Sequence, residues 1–144
     1  MSAPRRFLLR ALAPLLPGPL TPPLEAARRH LNLRLAQAFR LASAQQRAVR
    51  IPADPETSED HLSIHLPPGV AWGRPIDIPP PPDLEDSAWT SAPPHALTVL
   101  PRRRAASNVW FLHHGRSALC LRLGLRGQVE FLGYHPLLGT WREA

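Results

Sequence analysis

Apolar residues recur with a helical period from Thr21 to about Val49. Leu24, Ala27, Leu31, Leu35, Ala38 and Ala42 fall within about ±40° of one line on a helical wheel, which predicts a long amphipathic helix over 21–51. Thr21 suits the N-cap, Pro22 the first helical position and Glu25 the first turn. Pro52 disfavours helix at Ile51. A shorter helical pattern precedes it: Phe7, Leu8, Ala11, Leu12 and Leu15 share one side, opposite Arg6 and Arg10, before Pro17, Gly18 and Pro19 stop it. Residues 1–20 therefore read as a short basic docking helix or arm. Their arginine content and lack of acids also fit an organelle-targeting segment.

Beyond Pro52 the period changes from 3.6 to 2. His61 to Leu66 alternates Leu62, Ile64 and Leu66 against His61, Ser63 and His65, which predicts a half-buried strand. Further strands are expected over 96–100, 108–114, 117–125 and 128–134, punctuated by Gly115, Arg116, Arg126 and Gly127. The last three are joined too closely for crossovers and should form an antiparallel meander. Its register stays open, because either Arg126-Gly127 or Gly124 to Gly127 fits as the loop. The predicted fold class is α+β: one short and one long helix packed on a mainly antiparallel sheet of four to five strands, in a single domain over 1–144.

Composition sharpens this picture at one point. Proline makes up 19 of 144 residues, about 13% against a usual share of roughly 5%. It concentrates in an acidic middle segment, 52–95, where Pro79 to Pro82 should be polyproline II. That excludes a continuous helical bundle. No apolar run reaches the ~18 residues that span a bilayer, so no integral membrane association is expected, and a cytoplasmic location follows as the simplest expectation.

Charge is segregated along the chain. Residues 1–50 hold nine Arg and one acid, 51–100 one Arg and eight acids, and 101–144 seven Arg and two acids. All 17 basic side chains are Arg; a GC-rich coding bias would explain the choice of Arg over Lys, but not where the arginines sit. Arg29, Arg40 and Arg47 line up within about 20° on the polar side of the long helix, a stripe about 27 Å long. Arg102, Arg103 and Arg104 cluster in one connection, and Arg116, Arg122 and Arg126 belong to the sheet. Guanidinium forks suit phosphates, and Trp110, Phe111, Tyr134 and Trp141 stand close enough in sequence to offer stacking surfaces. These nine arginines are the candidate nucleic-acid contacts, phosphate-directed and largely indifferent to base sequence and to DNA or RNA.

Other chemistry finds little footing. His61 and His65 on a strand stand about 13 Å apart, too far to share a metal. Cys120 in mid-strand reads as a buried structural thiol. No glycine-rich phosphate loop occurs and the acids form no facing pair, so no catalytic residue, metal or cofactor is assigned and the chain reads as non-enzymatic. The competing class is a protein–protein adaptor or small subunit of a larger assembly, in which Trp72, Leu84 and Trp89 of the proline-rich segment would meet the partner. Over Asn108 to Tyr134, with Arg116, Arg122, Tyr134 and His135, the chain resembles the sheet of metal-independent ribonuclease toxins of the RelE type. That resemblance implies RNA cleavage by Arg, Tyr and His near the final strands.

Overall fold

The computed structural model describes residues 20–54, 59–84 and 94–144. Its helix, α1, spans Pro22–Gln45. Thr21 holds the N-cap position with an extended backbone but makes no side-chain cap, and its hydroxyl is buried without a partner. The two prolines that follow explain this: Pro23 removes one of the amides an N-cap would serve. The helix ends four residues before Val49, because Gln46 turns into the left-handed region and sends its N–H back to the Ala42 carbonyl. Residues Val49–Ile51, expected as the last helical turn, form strand β1 instead.

Eight short strands make two antiparallel sheets. In the three-stranded sheet, β3 (Leu97–Leu100) lies between β1 and β4 (Arg104–Ala105). The five-stranded sheet runs β2 (Ala71–Trp72), β5 (Asn108–His114), β6 (Ser117–Leu123), β7 (Val129–His135) and β8 (Thr140–Glu143), with β8 at its outer edge. An α+β fold is what the periodicities predict. The strands are more numerous than expected and are divided between two sheets. The expected N-terminal helix over 1–20 lies outside the described residues except for Leu20, which packs against the core.

The expected strand over 61–66 is reduced to one parallel bridge, Ala53 with Ile64. His61 lies in the left-handed region (φ 57°), and Pro67 and Pro68 follow, so only a few residues stay extended. Leu62 and Ile64 are buried as the alternation requires, but Ser63 is buried as well.

The meander's register is settled by its turns. His114 pairs with Ser117, leaving Gly115-Arg116 as a two-residue turn with Gly115 at φ 59°, the position a type II′ hairpin reserves for glycine. Leu123 pairs with Val129, and the Gly124 N–H donates to the Gln128 carbonyl at 2.9 Å. The loop is therefore Leu125-Arg126-Gly127, with Gly127 in the left-handed conformation (φ 74°) that closes three-residue hairpins.

This register puts Trp110, Leu112, Leu119, Leu121, Leu123 and Phe131 on one face, joined in a single core cluster with Leu24, Leu31, Leu35 and Phe39 of α1. Trp72 reaches the same face from β2 and meets Trp110 edge-on at 5.3 Å. Phe111, Ala118, Cys120, Arg122, Leu132, Tyr134 and Trp141 occupy the other face. The segment after β2 folds over it. Buried Arg74 stacks over Phe111 (5.7 Å) and donates to the Ile78 carbonyl. The Trp141 indole N–H donates to the Pro79 carbonyl at 2.7 Å. A 3-10 turn at Pro82–Leu84 then brings Asp83 to Arg122 at 2.5 Å.

Two glycines separate backbone strain from steric fit. A Cβ on Gly127 would lie 2.3 Å from the Arg103 carbonyl oxygen, whereas one on Gly115 meets nothing within 4 Å. Gly115→Ala is expected to cost only the left-handed backbone penalty of about 1–2 kcal/mol. Gly127→Ala is expected to cost clearly more, because backbone must also move. Urea midpoints for the two variants check this, and equal losses would mean the approach of β4's turn to Gly127 is relaxed in solution.

Candidate functional site

The nine candidate arginines do not form one wall. Three lie beside carboxylates of the chain itself. Arg47, past the end of α1, grips Asp60 with both guanidinium nitrogens (2.7 and 3.2 Å), and this pairing holds the Asp60 carboxyl below its ordinary range. Arg122 is held by Asp83 at 2.5 Å and stands 3.7 Å from Glu130, its cross-strand neighbour. Arg29 is 76% exposed, with Glu25 at 3.4 Å, but that carboxylate is already taken by Arg28 at 2.5 Å. The helical stripe is thus cut short, its last member bound to an acidic loop.

Arg116 is exposed in the β5–β6 turn. The remaining five converge at the other end of the sheet. Arg40 projects from α1, Arg102 and Arg103 from the β3–β4 turn, Arg104 from the start of β4, and Arg126 from the β6–β7 loop. Three contacts lock these segments together. The Arg103 guanidinium lies over the Phe39 ring at 5.0 Å, Gly127 approaches the Arg103 carbonyl closely, and the Ala105 N–H donates to the Leu125 carbonyl at 3.3 Å. Arg40 and Arg103 flank a shallow groove of about 440 Å³ floored by Ala36, Phe39 and Ser43. A second groove of about 290 Å³ continues from Arg103 towards Asn32, Gly127 and Gln128.

All five side chains are exposed. Among the described residues none of them forms an ion pair with a carboxylate, unlike Arg28, Arg29, Arg47 and Arg122. Arg102 and Arg103 both adopt positive φ, 63° and 56°, a conformation that costs a non-glycine residue about 1–2 kcal/mol. The turn keeps arginine there although glycine would relieve the strain.

The other candidates are scattered or occupied. Trp110 is fully buried and Phe111 nearly so, while Tyr134 and Trp141 pack on each other at 5.5 Å. The expected stacking platform beside the arginines is therefore absent among the described residues. Trp72, expected at a partner surface, is only 7% exposed, because Trp110 and the α1-facing core enclose it. Leu84 is half-buried in the cleft beside Arg122 and Glu130. Trp89 lies outside the described residues. For the ribonuclease-like set, Arg116 and Arg122 are separated by six residues of strand, about 20 Å. Tyr134 and His135 point to opposite faces, and the buried His135 accepts the Leu137 N–H on Nδ1 at 3.2 Å. These four do not converge.

Sequence reading missed Asp60 and Asp83 as internal counter-ions and Phe39 as the seat of Arg103. The Arg122–Glu130 pair follows directly once the β6–β7 register is known.

Cys120 is fully buried between Phe111 and Leu132. Burial pushes its thiol up to about 12, so at neutral pH it is a protonated, inert side chain. In the native protein at pH 8 it is expected to resist a disulfide-exchange reagent, and to react fully once guanidinium unfolds the chain. Rapid native labelling would show that the covering segment opens freely. No known family model, curated protein or solved structure matches this chain.

Proposed function

We propose that the chain is a non-enzymatic, phosphate-directed nucleic-acid-binding module acting through Arg40, Arg102, Arg103, Arg104 and Arg126. The observation that carries this reading is the contrast in pairing. Arg28, Arg29, Arg47 and Arg122 are matched by the chain's own acids, while these five are exposed, clustered and unmatched among the described residues. Clustered guanidinium groups bind phosphate oxygens with bidentate geometry and release condensed counterions. Without an exposed aromatic beside them among the described residues, the contacts read charge and phosphate spacing rather than bases.

The reading has a quantitative consequence. Five phosphate contacts on duplex DNA imply a slope of log affinity on log salt of about −4.5, or roughly a 500-fold loss from 50 to 200 mM salt. Arg40→Glu combined with Arg126→Glu is expected to remove binding to a labelled duplex at 100 mM salt. Arg47→Ala, which removes the Asp60 pair and the bonds to Gln45 and the Ala48 carbonyl, is expected to leave affinity within about twofold. Fluorescence anisotropy measures both. Salt-independent binding, or equal losses in the two variants, overturns the reading.

Arg102→Gly separates function from folding. Glycine relieves the left-handed backbone, so stability is expected to hold or rise by up to about 1 kcal/mol. The salt slope is expected to fall by about 1 as one phosphate contact disappears. A thermal melt and a salt titration on the same sample test this pair of outcomes, and an unchanged slope removes Arg102 from the interface.

A further inference from the structure

The face of the five-stranded sheet turned away from α1 carries an aromatic surface separate from the arginine cluster. Phe111, Tyr134 and Trp141 form a continuous aromatic run on that face, with ring centroids 6.0 Å apart for Phe111–Trp141 and 5.5 Å for Tyr134–Trp141. The chain itself lays a proline-rich segment across it. Residues 78 to 81 each precede a proline, which holds their backbones extended, and proline fixes φ near −65°. The Trp141 indole N–H donates to the Pro79 carbonyl at 2.7 Å, Pro81 is buried, and Arg122 closes the far end on Asp83 at 2.5 Å.

Aromatic rings, an indole donor to a proline-segment carbonyl and a charged group at one end are how proteins dock extended proline-rich peptides from other chains. Here the ligand is built in. Ile78 anchors it in the interior, but it contributes no strand to either sheet, and Asp83 is 55% exposed while it pairs with Arg122.

We propose that the Phe111–Tyr134–Trp141 face is a docking groove for an extended proline-rich segment of a partner protein, closed by an acidic residue, and that Pro79–Asp83 occupies it in cis as a displaceable stand-in. The partner's prolines would lie over the aromatic rings, with a carbonyl on the Trp141 indole and the acid on Arg122. Cis occupancy lowers the apparent affinity for the partner by the fraction of molecules in which the groove is closed.

The probe is a synthetic peptide with the sequence of residues 76–84, and the control replaces its four prolines by alanine. Two full-length variants loosen the internal ligand: Asp83→Ala, which removes only the ion pair, and a quadruple change of Pro79 to Pro82 into Gly and Ser. Isothermal titration calorimetry reports binding in every variant, and the Trp141 indole resonance locates it where Trp141 is kept. The expected result is saturable binding by at least one folded variant, at least tenfold tighter than by the parent chain. It should be absent with the control peptide and lost when Trp141→Phe is added. If the quadruple variant does not fold, Asp83→Ala alone carries the comparison. No saturable response in any folded variant overturns the proposal. So does a response that survives Trp141→Phe, or a shift to dimer mass without a peptide response, which would mean exchange of the segment between copies of this chain.

Discussion

Strand β6 is buried on both of its faces, and the rest of the molecule is arranged to make that possible. Leu119, Leu121 and Leu123 enter the core beneath α1, while Ala118 and Cys120 lie fully buried on the opposite side. An antiparallel meander normally needs only one covered face. Here the second cover is a segment with almost no hydrogen-bonding regularity of its own. Prolines suit that task, because they lack the N–H that a strand would leave unsatisfied and lose little backbone entropy on ordering.

Burial on both sides also decides how Arg122 and Arg74 are held. At the covered face Arg122 must meet acids, because an unmatched charge beside Cys120 and Phe111 would be costly. Arg74 solves the same problem with an aromatic ring and a carbonyl. At the end of the sheet near Gly127 the turns bring their basic side chains out into water. The settings of Arg122 and Arg74 thus follow the geometry of the covering segment.

How much of this was legible in the sequence depends on the range of the interaction. The 3.6-residue period marked α1, and the turn glycines marked β5, β6 and β7, because those signals are local. The helix end was placed too late because nothing in Gln46 announces a left-handed residue. The single bridge at Ile64 was read as a strand because alternation records which side is buried and not whether a partner strand exists. For the site, the cluster Arg102 to Arg104 was visible as a run, whereas its union with Arg40 and Arg126 rests on Phe39 and Gly127, contacts made across long stretches of chain. The acids that remove Arg47 and Arg122 were likewise hidden by distance, and Trp72 looked like a surface anchor only because its partner Trp110 stands 38 residues away.

The outer strand β8 closes the sheet with Thr140, Trp141, Arg142 and Glu143. Its free flank presents backbone donors and acceptors to any strand of similar length, the usual starting point for sheet-to-sheet association. Neighbouring charges of opposite sign, a span of only four residues and an indole already committed to Pro79 make that flank a poor template. Trimming the C-terminal charges would therefore trade a soluble border for an adhesive one, even with the interior untouched.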